Sequence, residues 1–146
     1  MTPTCFTETP EHYEGDVIVA PLYADRPPTR GVAGWADWLL GAPVATLLLG
    51  GKLRAKPGET LLLAAGAPFR TAKVVFVGCQ SPAADKAEAE ATAERFADAV
   101  RGLNAVRVLV ESPYADGAFF ADRFAKHFGQ PNVDLAYYLA ESPCRI

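Results

Sequence analysis

The chain has 146 residues, of which 50% are hydrophobic and 21% are charged, and its formal net charge at pH 7 is -3. This length and composition are typical of one globular domain with a real core, so we interpret residues 1–146 as a single domain. No run of basic residues is present, which disfavours nucleic-acid binding. The apolar runs are much shorter than the roughly 20 residues that span a bilayer. Neither nucleic acid nor a membrane is therefore an expected partner.

The cysteines and the N-terminus bear on the cellular compartment. Cys5, Cys79 and Cys144 are an odd and scattered set without C-x-x-C spacing, which argues against a disulfide framework. Residues 1–15 form a polar lead-in that lacks the basic and apolar regions of a signal peptide. We therefore expect a cytoplasmic protein.

The first third of the chain predicts a buried strand followed by two helices. Residues 16–24 are almost continuously apolar, which is typical of a strand covered on both faces of a parallel or mixed sheet. Thr29 is a candidate N-cap for the helix that follows. The apolar residues of that helix share one face, and they are Val32, Trp35, Ala36, Leu39 and Leu40. A short second helix is expected over residues 44–49, ended by Gly50 and Gly51.

The middle of the chain predicts a hairpin and then a long helix. The apolar runs 60–65 and 73–78 are separated by a turn rich in glycine and proline, so they are expected to pair as adjacent strands. Ser81 followed by Pro82 is a typical helix start, with a capping serine and a proline in the first turn. We expect Gly102 to cap the end of this helix.

A strand, a helix and a last strand complete the pattern. Residues 106–110 are apolar and predict a strand. Asp116 is placed to cap a helix with phenylalanines on one side, and Gly129 is placed to end it. Residues 135–140 are interpreted as the last strand. This alternation predicts an α/β fold of three layers, a mixed sheet flanked by helices.

Three segments share their order and spacing with a known family. Residues 56–63 read Lys-Pro-Gly-Glu-Thr-Leu-Leu-Leu, which is a basic turn, then Gly-Glu-Thr, then an apolar strand. Residues 72–78 form the next apolar strand, and residues 15–20 begin the first one with Gly-Asp-Val-Ile-Val-Ala. In these segments, and more loosely up to residue 110, the chain resembles the N-terminal domain of the leucyl (cytosol) aminopeptidases.

The resemblance implies a macro-domain-like fold and a non-catalytic role. In that family the metal ions and catalytic groups belong to a C-terminal domain, whose Asn-Thr-Asp-Ala-Glu-Gly-Arg signature does not occur in this sequence. No catalytic residue, metal ligand or cofactor is therefore carried over. By resemblance, the N-terminal domain serves assembly or regulation rather than peptide hydrolysis, so we do not expect an enzyme.

Two loops are the candidate ligand sites of the predicted sheet. In open α/β sheets, ligands bind beyond the carboxyl ends of the strands. Both loops also lead into a helix N-terminus, which favours anions, although neither is glycine-rich. The candidate ligand-binding residues are Gly78, Cys79, Gln80 and Ser81 in the first loop, and Ser112 and Asp116 in the second.

Other reactive or aromatic side chains are given structural interpretations. Cys79 precedes a predicted helix start that would activate a thiol, but free cysteines are usually buried and inert. His12 and His127 lack any metal-ligand spacing. Trp35 belongs to the apolar stripe of its helix and is expected in the core. Trp38 lies off that stripe and is the better surface candidate.

Three functions remain open at this point. The leading hypothesis is a stand-alone, non-catalytic module that self-associates or binds a protein partner in assembly or regulation. The alternative is a macro-domain-type binder or hydrolase of ADP-ribose or a related small nucleotide, which rests on fold analogy. The third is a peptidase completed by a catalytic domain on a separate chain.

Overall fold

A mixed sheet lies at the centre of the computed structural model, which describes residues 3–24, 30–130 and 132–140. Its strands, in chain order, are β1 (Thr4–Cys5), β2 (Val17–Tyr23), β3 (Thr60–Ala64), β4 (Lys73–Cys79), β5 (Arg107–Glu111) and β6 (Asp134–Tyr138). Within the described residues they form one six-stranded sheet in the order β1-β6-β5-β2-β4-β3. Every neighbouring pair is parallel except β3 and β4, which are antiparallel as the predicted hairpin requires.

Helices cover both faces of this sheet, which confirms the predicted three-layer α/β fold. The α-helices of the described residues are α1 (Gly31–Leu40), α2 (Pro43–Leu49), α3 (Lys86–Val100) and α4 (Gly117–Phe128). A short 3-10 helix, Pro10–His12, precedes β2. The first two α-helices pack on one face with this 3-10 helix, and α3 and α4 pack on the other.

Strand β2 is the central strand, and its side chains are buried up to Leu22. It pairs with β4 along its whole length, from Val17 opposite Lys73 to Tyr23 opposite Cys79. It pairs with β5 only through residues 17–19. Pro21 therefore lies beyond the segment that pairs with β5, which is how a residue without a backbone N–H is accommodated in a central strand.

Each face of the sheet has its own apolar core. On the α3–α4 face, Phe96, Phe120 and Phe124 are fully buried, and the rings of Phe96 and Phe120 meet edge to face with centroids 5.3 Å apart. On the α1–α2 face, Ile18 and Phe76 are fully buried beneath the helices. Burial of each such side chain contributes about 1.5–3 kcal/mol, so the two cores hold the layers together.

The start of α3 differs from the sequence-based prediction. The helix begins at Lys86 rather than at Ser81, and Asp85 is its N-cap, accepting a hydrogen bond from the Glu88 N–H at 2.9 Å. The Glu88 side chain accepts from the N–H of Ala84, the residue before Asp85, at 2.9 Å. Together the two side chains satisfy two backbone donors at the start of the helix, whereas the Ser81–Pro82 signal offers one cap.

Other boundaries were predicted with mixed success. Asp116 caps α4 and Gly129 ends it in the left-handed conformation, as predicted. The predicted cap Thr29 lies outside the described residues, and Arg30 occupies the N-cap position of α1. Gly102 does not adopt a left-handed conformation, and Arg101 is the C-cap of α3.

Two further findings concern the compartment and membranes. Cys5 is disulfide-bonded, so the argument against a disulfide framework no longer supports a reducing compartment. The cytoplasmic location stays a prediction. No single helix in the described ranges is long and apolar enough to cross a membrane; α1 and α2 reach that length and composition only together, and they are bent by 101°.

Candidate functional site

A cavity of about 710 Å³ lies at the carboxyl edge of the sheet, on the α1 side. Parallel strands end together at this edge, where α/β sheets usually bind ligands. The volume falls within the range of small-molecule sites. The described lining residues are Arg30, Gly31, Gly34, Trp35, Asp37 and Trp38 from α1 and its N-cap, and Tyr138 and Ala140 at and just after the end of β6.

Aromatic rings form much of the cavity wall. Trp38 has 80% of its surface exposed, while Trp35 and Tyr138 are half-buried. Burial is the main cause that raises the pKa of Tyr138; the Glu111 charge raises it further, and a hydrogen bond with the Trp35 side chain lowers it. Tyr138 is therefore a neutral phenol at physiological pH. The aromatic part of the cavity wall is apolar except at polar tips such as the hydroxyl of Tyr138.

The buried carboxylate of Glu111 lies next to the lining residues of the cavity without lining it. Glu111, the last residue of β5, is 4% exposed, and its Oε1 accepts a hydrogen bond from the Val32 N–H at 2.7 Å. This N–H belongs to the first turn of α1, so Glu111 satisfies a backbone donor at the positive end of that helix. Glu111 makes further interactions as well.

A glycine at position 31 is required for the close approach of the Glu111 carboxylate to the start of α1. Its φ is +66°, and a Cβ there would lie 2.4 Å from Oε2 of Glu111. A side chain at this position would meet both a strained backbone conformation and the carboxylate. The chain therefore brings the end of β5 and the start of α1 into direct contact.

Asp37 lines the cavity, but its carboxylate oxygens are bonded to the start of α2. Its carboxylate oxygens accept from the N–H groups of Val44 at 2.8 Å and Ala45 at 3.0 Å. These donors belong to the first turn of α2, so Asp37 fixes α2 against α1. Arg30, the cation among the described lining residues, also makes a further interaction.

The loop after β4, predicted as a ligand site, lies outside the cavity lining. The Gly78 N–H donates to the Glu59 carbonyl at 2.6 Å, and a Cβ on Gly78 would lie 2.0 Å from the Lys56 carbonyl oxygen. Gly78 thus permits a close crossing of two backbone segments. Gln80 and Ser81 are exposed.

Cys79 is buried at the end of β4 and is a free thiol. Burial is the main cause that raises its pKa to about 12, against the opposing charge of Arg95. The thiol is therefore uncharged at neutral pH, which is the state of an unreactive cysteine.

The second predicted loop is also internally bonded. The Ser112 hydroxyl donates to the Tyr114 carbonyl at 2.7 Å and accepts from the Tyr114 N–H at 3.1 Å. Asp116 accepts from the Phe119 N–H at 3.1 Å as the cap of α4. The Ala83 N–H donates to the Pro113 carbonyl at 2.9 Å, so the two predicted loops adjoin each other. Their role in ligand binding stays a prediction.

The sequence interpretation missed most of the cavity. Trp38 was predicted at the surface, which is confirmed. Trp35 was placed in the core; it does pack against the α1–α2 core, and it also lines the cavity. Glu111 was not considered. A polar Glu at the end of the apolar run 107–111 and a glycine at the predicted helix start were the available signals. The pairing of Glu111 with Val32 spans 79 positions in the chain, and one sequence does not reveal it.

Titratable groups on the other face are paired in the structure. Nε2 of His127 lies 2.5 Å from the Glu90 carboxylate, and Arg123 approaches the same carboxylate at 3.4 Å. This cluster joins α3 to α4. Among the residues that the structure describes, no group of three or more His, Cys, Asp or Glu side chains is arranged to hold a metal ion.

Known structures share this fold at low sequence identity. No family model matches the chain, and no curated protein sequence matches it. A tomato leucine aminopeptidase mutant superposes with a TM-score of 0.68 and 13% identity, over 99% of this chain and 33% of the aminopeptidase. This chain therefore spans about a third of that protein.

Two macrodomains match along their full length. The macrodomain of Mycobacterium tuberculosis DarG gives a TM-score of 0.66 at 16% identity, covering 99% of each chain. The macrodomain of Thermus aquaticus DarG gives 0.61 at 10% identity, covering 97% of this chain and 99% of the other. The fold is macrodomain-like, as the resemblance implied, and it is common to an aminopeptidase and to the two DarG macrodomains.

Proposed function

We propose that this chain is a macrodomain-like binding module whose cavity holds a small ligand of the nucleotide class. The observation that carries the proposal is the cavity of about 710 Å³ lined by Trp35, Trp38 and Tyr138. Stacking of a base on an aromatic side chain contributes about 1–3 kcal/mol and tolerates different bases. The aromatic wall therefore suits a flat ring.

The position of the cavity supports the same function. It lies at the carboxyl edge of the parallel strands, beside the start of α1, where sheets of this class bind ligands. The sequence analysis raised ADP-ribose or a related nucleotide as an alternative function, and the cavity now favours this alternative over a purely structural role. The proposal is for binding and assigns no chemical step.

Isothermal titration with ADP-ribose, AMP and ATP tests the proposal. Wild-type protein is expected to bind at least one of them saturably. Trp38→Ala is expected to weaken that binding about 5- to 150-fold, which corresponds to the loss of one stacking contact. Since Trp38 is 80% exposed, the variant should fold normally.

Leu62→Ala is the matched control for this experiment. Leu62 is also an exposed hydrophobic side chain, and its neighbours Leu61 and Leu63 pack on the α1–α2 core, so Leu62 points to the opposite face of the sheet. Its removal should leave the affinity unchanged. A flat titration for all three nucleotides would contradict the proposed function.

A second candidate function, docking to a protein or to a second copy, is favoured by one observation. Trp38 and Leu49 are 80% and 90% exposed, and both belong to the α1–α2 layer. Large hydrophobic side chains exposed in one layer are typical of an interaction surface. Self-association would give a solution mass above the 15.6 kDa of one chain.

A further inference from the structure

The two edges of the sheet differ in how they are protected. β1, at one edge, has only two residues. β3, at the other edge, has five residues, Thr-Leu-Leu-Leu-Ala, without a charge or a proline. Edge strands of soluble proteins are usually short, charged or interrupted by proline, because their free backbone groups pair readily with another chain. β3 has none of these three protections.

The outer side of β3 has no hydrogen-bonding partner in the described part of the chain. The strand pairs with β4 on its inner side. No backbone hydrogen bond joins residues 60–64 to any other described segment. Leu62 is 55% exposed, although Val75, its cross-strand neighbour on β4, is buried in the α3–α4 core. The sheet therefore ends at a strand whose backbone and central side chain are both open to a partner.

The pairing with β4 determines which backbone groups of β3 are free. Gly78 lies opposite Glu59 in the continued register, and the Gly78 N–H donates to the Glu59 carbonyl at 2.6 Å. Bonded and non-bonded pairs alternate along an antiparallel ladder. Every second residue after Glu59 therefore bonds to β4, and the residues between them turn their N–H and C=O groups outwards. These outward-facing residues are Thr60, Leu62 and Ala64.

The sequence of β3 is complementary to itself about Leu62. If two copies pair antiparallel with Leu62 opposite Leu62 of the second copy, Thr60 lies opposite Ala64, and all the outward-facing residues form bonded pairs. Leu61 then lies opposite Leu63 in the intervening pairs, where the side chains come closest. Cross-strand side-chain contacts of this kind stabilise a sheet, and within β3 no charged side chain opposes another.

The charge that directly precedes β3 is held by its own loop. The Glu59 carboxylate accepts from the N–H groups of Arg54 at 3.0 Å and Lys56 at 3.2 Å. These bonds keep the carboxylate on the loop before the strand. The outer side of β3 therefore offers apolar side chains and backbone groups, and a strand of the same composition is a suitable partner for it.

We propose that this chain forms a two-fold dimer in which β3 pairs antiparallel with β3 of a second copy, so that one sheet continues across both. A two-fold interface uses the same patch on each copy and closes on itself. The outer edges of the joined sheet are then the short β1 strands, so assembly stops at the dimer. The contact uses β3 rather than α1 and α2, and none of the described cavity-lining residues belongs to β3. The dimer is therefore independent of the ligand proposed above.

Sedimentation equilibrium of the whole chain, from micromolar to near-millimolar concentration, tests the proposal first. The mass should rise from the 15.6 kDa of one chain to a plateau at twice that value. A mass that stays at one chain over the whole range overturns the proposal. A mass that rises past the dimer without a plateau overturns the closed two-fold pairing.

Leu62→Lys and Leu62→Glu together test the register. Each variant alone places like charges opposite each other on the two-fold axis, and should weaken the dimer about ten-fold or more. An equimolar mixture places an ammonium opposite a carboxylate and should dimerise more strongly than either variant alone. Wild-type dimerisation of the separate variants overturns the proposal, and a mixture that dimerises no better than its components overturns the register about Leu62.

Val106→Lys and Leu49→Ser are the matched controls. Val106 is 57% exposed, like Leu62, but it precedes β5, which lies inside the sheet. Leu49 is the exposed end of α2. Both variants should leave the dimer dissociation constant unchanged, and thermal unfolding checks that all the variants fold. A dimer that is lost in Leu49→Ser and kept in Leu62→Lys would assign self-association to the α1–α2 layer and overturn the proposal.

Discussion

The helices on the two faces of the sheet differ in length, in capping and in how completely they bury their apolar residues. α3 and α4 have 15 and 12 residues, and each begins with an aspartate whose side chain caps it. α1 and α2 have 10 and 7 residues, and neither N-cap residue makes a side-chain capping bond. The first turns of α1 and α2 are instead satisfied by distant carboxylates, Glu111 and Asp37.

The difference in packing follows the same division. On the α3–α4 face Phe96, Phe120 and Phe124 are fully buried, and Glu90 joins the two helices through His127 and Arg123. On the α1–α2 face the helices are bent by 101°, a cavity opens beside α1, and Trp38 and Leu49 are exposed. Both faces carry a buried core, and the α1–α2 face in addition leaves apolar surface exposed.

Removal of one large side chain from each face should give the largest contrast. Phe96→Ala is expected to lower the free energy of unfolding by about 3–5 kcal/mol, because a fully buried ring is replaced by a cavity. Leu49→Ser on the other face should change it by less than about 0.5 kcal/mol, since that side chain already contacts solvent. Urea denaturation followed by circular dichroism measures both.

The same Leu49→Ser variant bears on the second candidate function. If wild-type protein self-associates through this face, the variant should lower the solution mass measured by light scattering. A loss of stability in Leu49→Ser as large as that in Phe96→Ala would mean that Leu49 is covered in solution, contrary to the contrast between the faces.

The next largest effect on stability is expected from alanine substitutions at two glycines. Gly31 and Gly117 are the first residues of α1 and α4. Gly31→Ala is expected to cost about 1–3 kcal/mol, because a Cβ would lie 2.4 Å from Glu111 on a backbone with φ of +66°.

Gly117→Ala should cost less than about 1 kcal/mol. Its Cβ would meet side-chain carbons of Leu139 and Tyr137 at 2.9 Å, a smaller overlap than at Gly31, and the φ of Gly117 is not in the left-handed region. Thermal unfolding at neutral pH measures both variants. Equal losses would show that Glu111 does not hold the start of α1 as the structure indicates.

Local sequence signals were enough for the elements but not for the cavity. Apolar periodicity and turn residues predicted the β3–β4 hairpin and both ends of α4, because a hairpin turn and the caps Asp116 and Gly129 act within a few residues. The cavity depends on β5 reaching α1 through Glu111 and Val32, which are 79 positions apart. Such contacts are set by strand order, which a single sequence does not specify.

The start of α3 shows how a tertiary contact overrides a local signal. The sequence analysis placed the helix start at Ser81–Pro82 and did not consider Asp85 as the cap, which it is in the structure. The Ala83 N–H is bonded to the Pro113 carbonyl, across to the loop after β5. The chain after Pro82 is therefore bonded to the neighbouring loop, and the helix begins only at Lys86.

The two candidate caps of α3 give the smallest expected effect and complete the comparison of the faces. Asp85→Ala removes the bond to the Glu88 N–H and should lower the free energy of unfolding by about 1 kcal/mol. Ser81→Ala should change it by less than about 0.5 kcal/mol, because Ser81 is exposed and lies outside the helix. Urea denaturation resolves the difference if both variants are measured in parallel with wild type. A larger loss of stability in Ser81→Ala than in Asp85→Ala would place the helix start at Ser81, as the sequence alone predicted. Asp85 would then not cap α3, and α4 alone would keep an aspartate cap on this face.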